Sequence, residues 1–466
     1  MIQRYVSYAR EGIDGESGDF MGGFGRRAAR PPEGSIEPPP APLLYARCVV
    51  LWDDEYANIL VSVDVLGIPK QLRTNLLRRI REVVAGLAPK VRLGRDSDFV
   101  LIATHTHNAP AVMDVQPPYI MWGLGADEVA RVVAYTSKLE DNIFKAVESA
   151  LNANKQPCTL EIGWGETAFA MNRSDLRPNA HVEKIVPVLV ARSVTGEKKP
   201  LAVMFGYACH PLSGVGNWWD SEFPGRACEL IELEFGVFAL FLQGASGDHA
   251  PKNQNDDNGQ TLAAVVGRVV EKDHRPIAGS IQSREISVPL PRSLPPKSEL
   301  EHLYRQRLQS TDAARQRHGS VMLEIAKSGE YADSVPLTVI VWHFMLPDDS
   351  PPLKIVFTGG ELVSEYARDL RAALKPSGTE AIVVAYANDM PGYIPTDAFL
   401  PPKTSDSVTY PAYEGGWDET DSAIAGGSQV GYGQFARYLK GGESRDREGI
   451  QKVLGDALLA AVRTPP

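Results

Sequence analysis

Short apolar runs alternate with amphipathic stretches through most of this 466-residue chain, and that alternation narrows its possible folds more than any other feature. Residues 46–52 and 59–65 are apolar runs separated by the turn-forming Asp53-Asp54-Glu55, the pattern of two neighbouring strands joined as a hairpin. Between residues 70 and 87, Leu72, Leu76, Leu77, Ile80, Val83, Val84 and Leu87 recur at helical spacing. Val129, Val132, Val133, Leu139, Ile143 and Val147 mark a second helix. Further strands are expected at residues 160–163, 185–191, 201–208, 237–242, 335–344, 355–358 and 381–387, with helices over 221–235, 261–270, 362–374 and 449–462. Short strands interleaved with helices predict an α/β class, with a mixed β-sheet core flanked by helices.

Two stretches interrupt the pattern. Residues 11–43 are rich in glycine, proline and charge (Gly22-Gly23-Phe24-Gly25-Arg26-Arg27, then Pro38-Pro39-Pro40), so residues 1–43 are expected to form an irregular N-terminal segment. Residues 293–330 are polar with intermittent leucines, the composition of a solvent-exposed helical insertion. No internal repeat is visible, and residues 1–466 are expected to form a single domain.

Bulk charge excludes some partners. The net charge of −10 argues against nucleic acid, because phosphate binding needs clustered Lys and Arg in excess. The four cysteines are scattered with no C-x-x-C pair, which disfavours zinc fingers and disulfide scaffolds and leaves buried thiols as the expectation. The first residues lack the apolar core of an export signal, and no run approaches the ~18–20 apolar residues that span a bilayer. A chain without a transmembrane segment, located in the cytoplasm, is therefore expected; oligomeric state is not specified.

Four segments place unusual polar residues at the ends of apolar runs. Leu101-Ile102-Ala103 leads into Thr104-His105-Thr106-His107, where i, i+2 spacing on a strand would turn both imidazoles to one side. Tyr207-Ala208-Cys209 leads into His210. Phe357-Thr358-Gly359-Gly360 precedes Glu361, expected at the start of a helix, and Ala387-Asn388-Asp389 opens a loop that contains Tyr393. Strand carboxyl ends are where open α/β sheets bind ligands, so these side chains can meet although they are far apart in sequence. Two imidazoles, a carboxylate and a phenol would give Zn²⁺ a nitrogen and oxygen shell with room for water. Each residue also has a plainer reading: solvent-exposed histidines, a carboxylate complementing a helix dipole, a loop tyrosine bonded to backbone. The loop at 110–125, with Met113, Tyr119, Met121 and Trp122, either lines a substrate mouth or packs on the body.

Taken in order, these segments resemble the neutral/alkaline non-lysosomal ceramidase family, zinc-dependent amidases that cleave the N-acyl bond of ceramide. The resemblance begins with Gly22-Gly23-Phe24-Gly25-Arg26 and runs through Thr104-His105-Thr106-His107, Cys209-His210-Pro211, Glu222-Phe223-Pro224-Gly225 and Gln243-Gly244-Ala245-Ser246-Gly247-Asp248. It continues through Gly360-Glu361 and Gly392-Tyr393 to Tyr413-Glu414-Gly415-Gly416. It implies a ceramidase-like catalytic domain with zinc ligands His105, His210, Glu361 and Tyr393, and catalytic residues His107, Arg173 and Tyr413. A bound Zn²⁺ would activate water and polarise the amide carbonyl, His107 would carry the proton to the leaving nitrogen, and Arg173 and Tyr413 would donate to the oxyanion.

Three departures qualify what is implied. Family members read Gly-Asp-x-Ser-Pro where this chain has Gly247-Asp248-His249-Ala250-Pro251, which excludes a serine nucleophile there and leaves hydrolysis by activated water. The residues after the helix over 449–462 leave no space for the C-terminal immunoglobulin-like domain that the resemblance implies, so a catalytic domain without it is expected, and no export signal is visible. The reading is thus a zinc-dependent amidohydrolase acting on a small-molecule or N-acyl lipid substrate. A hydrolase of a smaller polar ester, amide or glycoside, and a catalytically silent ligand-binding relative, remain as alternatives.

Overall fold

The structure, a computed structural model, describes residues 3–464 apart from 24–26, 33–40, 88–90, 116–123, 176–178, 213, 215, 256, 273, 278, 294–295, 312, 329–332, 345–351, 401–438 and 443–448. Chain order begins with strands β1 (Arg4–Gly12), β2 (Tyr45–Asp53) and β3 (Tyr56–Val63), helix α1 (Lys70–Gly86), β4 (Phe99–Ala103) and the long helix α2 (Ala126–Asn152). There follow β5 (Gln156–Glu166), β6 (Ala170–Asn172), β7 (Ile185–Ser193), β8 (Pro200–Tyr207), α3 (Glu222–Phe235), β9 (Phe238–Gln243), β10 (His249–Pro251), α4 (Asp257–Val270) and β11 (Arg275–Ile277). The last part comprises β12 (Ile281–Pro291), α5 (Lys297–Arg307), α6 (Ala313–Ser328), β13 (Ser334–Phe344), β14 (Leu353–Thr358), β15 (Glu361–Leu362), α7 (Ser364–Leu374), β16 (Glu380–Val384), β17 (Tyr393–Ile394) and α8 (Ile450–Arg463).

The expected mixed sheet is in fact two mixed sheets lying face to face. One runs β4-β3-β2-β1-β5-β7-β8-β9 with β11 on the side of β5, and the other runs β12-β13-β14-β16. Val6, Val49, Leu51, Leu60 and Ile102 from the first interdigitate with Ile340, Trp342, Phe344, Ile355 and Phe357 from the second. Helices cover the outer faces, because each strand also presents apolar residues on its other side. Val50, Val61 and Leu101 pack with Leu76, Ile80, Leu139 and Ile143 of α1 and α2, and Val339, Val341 and Val356 lie in the same cluster as Leu370 and Leu454 of α7 and α8. Strands β7 to β9 are covered by α3 and α4 through Phe223, Ile231, Leu262 and Val266. Strands buried on both faces read as unbroken apolar runs, which is why β3, β4 and β9 were legible without alternation.

Three expectations are corrected. The irregular N-terminal segment is overturned over Arg4–Gly12, where β1 forms a central strand paired antiparallel with β2 and β5. Its charges are neutralised by distant partners: Arg4 donates to Asp53 at 2.6 Å and Arg10 to Glu232 at 2.6 Å. Secondly, the helix expected from residue 362 begins at Ser364, so Glu361 lies not at a helix start but in β15, paired in parallel with Tyr393 of β17. Thirdly, β4 ends at Ala103, and His105 has φ of 67°, so extended-strand alternation is not what turns the two histidines together. Helices α5 and α6 occupy the stretch read as an insertion and share a small core of Leu300, Tyr304, Met322, Leu323 and Ala326. Among the described residues no immunoglobulin-like unit is present, and no helix is long and apolar enough to cross a membrane.

Candidate metal centre

The carboxyl ends of strands from both sheets meet at one place and are stitched there by bridges outside the regular ladders. Ile102 pairs with Ala387 and Gly244 with Val384, while the Ala103 amide donates to Tyr386 O and the Ala385 amide to Gln243 O. Loops leaving β4, β8, β14 and β16 therefore start within a few residues of one another. They deliver His105, His210, Glu361 and Tyr393 to a shared space. Gly247 makes the approach possible: a Cβ there would lie 2.6 Å from Glu361 O, and its amide donates to Leu362 O at 2.9 Å.

The imidazoles of His105 and His210 have their Nε2 atoms 3.1 Å apart. Glu361 Oε2 is 3.3 Å from His105 Nε2 and 3.1 Å from His210 Nε2, and all three side chains are fully buried. His107 Nε2 lies 3.4 Å from His105 Nε2, and the three histidines form a group whose ligand atoms lie within 4.8 Å of one another. Arg173, just beyond β6, places Nη2 2.9 Å from Tyr393 Oη, 3.2 Å from Gly247 O and 3.0 Å from His210 Nε2. Six of the seven residues singled out from the sequence, His105, His107, Arg173, His210, Glu361 and Tyr393, thus converge. Tyr413 lies outside the described residues, as do Tyr119, Met121 and Trp122 of the loop read as a substrate mouth.

Hydrogen bonds fix the imidazole tautomers. His105 Nδ1 faces Leu66 O at 2.6 Å and His210 Nδ1 faces Ser246 O at 2.8 Å. A carbonyl only accepts, so both Nδ1 atoms carry hydrogen, which turns Nε2 of each ring inward. Burial and the Arg173 charge push the His210 pKa down to about 3. Burial and the neighbouring imidazoles hold His107 well below the ordinary histidine range. Two imidazole Nε2 atoms and a carboxylate oxygen therefore crowd together in a fully buried space, and among the described residues Glu361 Oε1 has no hydrogen-bond partner. Beyond the Arg173 guanidinium at its edge, such a set is well suited to a further cation among its members.

The donor set also has the right size. Ligands held tetrahedrally at 2.0–2.1 Å from Zn²⁺ lie about 3.3 Å from each other, close to the 3.1–3.3 Å separations among His105, His210 and Glu361. Three imidazole nitrogens, a carboxylate and a phenol are donors suited to zinc, so the residues present fit a bound ion.

Several contributors had no site role assigned from the sequence, although Glu222 and Asp248 fall within the motifs quoted above. Glu222, the first residue of α3, has φ of 54° and is buried, and its Oε2 accepts the Thr106 hydroxyl and the His107 amide, both at 2.8 Å. It pins the histidine loop to the helix, yet in sequence it is an ordinary helix-start acid. Tyr386 is fully buried with φ of 58°, a conformation costing about 1–2 kcal/mol for a residue with a Cβ. Its ring lies on His105 with centroids 4.3 Å apart, although its apolar surroundings read only as core. His249 is a structural residue: Nδ1 donates to Asp248 at 3.0 Å, and Nε2 accepts the Glu183 amide at 3.0 Å. Asp248 in turn accepts from Ser364 and Asn172, which ties the loop carrying Arg173 to the start of α7. Ala250 pairs with Met171 across β10 and β6 and offers no hydroxyl to the centre.

Comparison with solved structures bears on the fold. The neutral ceramidase of Pseudomonas aeruginosa superposes with a TM-score of 0.66 at 17% identity, covering 100% of this chain and 76% of that one. A ceramidase complexed with C2 gives the same TM-score and coverage at 16% identity. No protein-family model matches the chain, and no curated protein matches it. The chain has a neutral-ceramidase-like fold, and its centre holds a histidine group that could bind a metal ion.

Proposed function

We propose that the chain is a zinc-dependent amidohydrolase that cleaves the N-acyl bond of an acyl amide, with His105, His210, Glu361 and Tyr393 holding the ion. The observation that carries this reading is the inward convergence of two imidazole Nε2 atoms and a fully buried carboxylate, a donor set suited to a cation. The neutral-ceramidase-like fold and the likeness in the ordered motifs support an amide of a fatty acid as substrate.

Zn²⁺ bound at such a site lowers the pKa of water to about 7 and polarises a carbonyl oxygen. The protein's own residues divide the remaining work. His107, at the edge of the ligand set, would take the proton as water adds to the carbonyl carbon, and would return it to nitrogen as the C–N bond breaks. The products are a carboxylic acid and an amine. Arg173 would stabilise the negative charge developing on the carbonyl oxygen, a task in which losing one donor costs about 10²- to 10³-fold in rate. Tyr413 is assigned as a second donor on the resemblance.

The test is hydrolysis of N-acyl amides of increasing chain length, with matched esters and glycosides, before and after chelation. Amide hydrolysis that disappears on chelation and returns with zinc is expected. Turnover confined to esters or glycosides would replace the amidase assignment, and absence of any turnover by the zinc-loaded protein would leave a binding protein.

A further inference from the structure

The hydroxyl of Tyr386 lies between two groups of different kinds. It is 3.0 Å from Ser246 Oγ and 3.5 Å from Glu361 Oε2, the latter at the outer limit of hydrogen bonding. Gln243 Nε2 faces Cys209 O at 2.9 Å and Ser246 Oγ at 2.7 Å. Both of its hydrogens are thereby committed outward, since the Cys209 carbonyl can only accept and fixes which end of the amide is nitrogen. Glu361 only accepts, so the hydrogen between it and Tyr386 is the tyrosine's, and Ser246 Oγ, which accepts from Gln243, then gives its own hydrogen to Tyr386 Oη. The tyrosine hydrogen is then directed at Glu361, and every donor in the series points the same way.

Ser246 also accepts from His210 Nδ1 through its carbonyl, while the Tyr386 ring lies against His105. The pair therefore touches three of the candidate ligands. Tyr386 is itself held by backbone bonds, its amide donating to Gly360 O and its carbonyl accepting from Ala103 N, and these bonds use its left-handed conformation to join the ends of β14 and β4. A strained tyrosine over-determined by both sheets is a rigid support.

We propose that Gln243, Ser246 and Tyr386 form a directed hydrogen-bond relay ending on Glu361, with Tyr386 and Ser246 as positioning residues that hold Glu361 and His105 ready for the metal. This rests on the metal-binding reading above. Groups that orient ligands from behind typically contribute 10- to 100-fold in metal affinity.

The test is zinc affinity, measured by competition with a fluorescent chelator, for the wild type, Tyr386→Phe, Ser246→Ala and the double variant. Each single substitution is expected to weaken zinc binding about 10- to 100-fold, with the double no more than about threefold below the weaker single, because both cut one series. Losses that multiply in the double variant would show independent roles and overturn the relay. So would zinc affinity of Tyr386→Phe within about threefold of wild type. Should Tyr386→Phe not fold, Ser246→Ala, which keeps the ring on His105, carries the same thresholds. A wild type that takes up no zinc overturns the metal reading itself, whereas a wild type that binds zinc with unaffected variants overturns the relay alone.

Discussion

Substituting alanine for Gly23 displaces His107 without touching any proposed metal ligand. Gly23 has φ of 92°, and a Cβ built on it lies 2.6 Å from His107 Nδ1, 2.7 Å from Cγ and 2.9 Å from Cβ. Carbon contacts are comfortable from about 3.5 Å, so the ring or the glycine loop must yield by roughly 0.6–0.9 Å. A misplacement near 1 Å costs about 10²-fold when the displaced group works at the reacting bond. The left-handed backbone adds about 1–2 kcal/mol of strain to an alanine, which lowers Tm by a few degrees. The expected outcome for Gly23→Ala is a loss of about 10- to 100-fold in kcat/KM, with zinc content unchanged. Steady-state kinetics on an N-acyl amide turned over by the wild type, beside elemental analysis and thermal unfolding, would read all three effects. A kcat/KM within about threefold of wild type would refute a proton-transfer role for His107 at its observed position.

Other perturbations follow from the same contacts. Glu222→Gln keeps the shape but removes the charge that strengthens two buried hydrogen bonds to Thr106 and His107, and should cost about 2 kcal/mol in urea unfolding and lower kcat with zinc retained; unchanged stability would mean the carboxylate does not pin that loop. Asp389 has its pKa pushed up to about 6 by burial, against the opposing pull of Lys70 and the Met390 amide. A carboxyl raised in the folded state weakens the fold as it ionises, so this penalty is absent below about pH 4, grows through pH 6 and is complete above it. Asp389→Asn should therefore raise stability by about 1–2 kcal/mol at pH 8 and leave it unchanged near pH 4, as read from unfolding curves at the two pH values; equal effects at both would contradict the assignment.

Much of the fold was legible because strands buried on both sides appear as apolar runs whatever their neighbours, as at β3, β4 and β9. The ends of such runs, at β4 and β8, located His105 and His210, and glycines beside polar residues located Glu361 and Tyr393. Strand β1 was hidden because Arg4 and Arg10 make it look exposed, and the acids that neutralise them, Asp53 and Glu232, are distant in sequence. The division into two sheets was hidden for a related reason, since an apolar face does not record whether a helix or another sheet covers it. Positive φ at His105, Glu222 and Tyr386 arises from long-range bonds at the meeting of strand ends, and no local preference of these residue types announces it. Arg173 was found only through the likeness of its motif, and the structure brings it to within 3.0 Å of His210 Nε2.

The most direct test of the central claim is the metal content of purified wild type beside His105→Ala and His210→Ala. About one zinc per chain, lost in both variants, is the predicted result. Wild-type protein that holds no metal after zinc is supplied would contradict it, and the buried histidines and Glu361 would then have to be reconciled by protons alone.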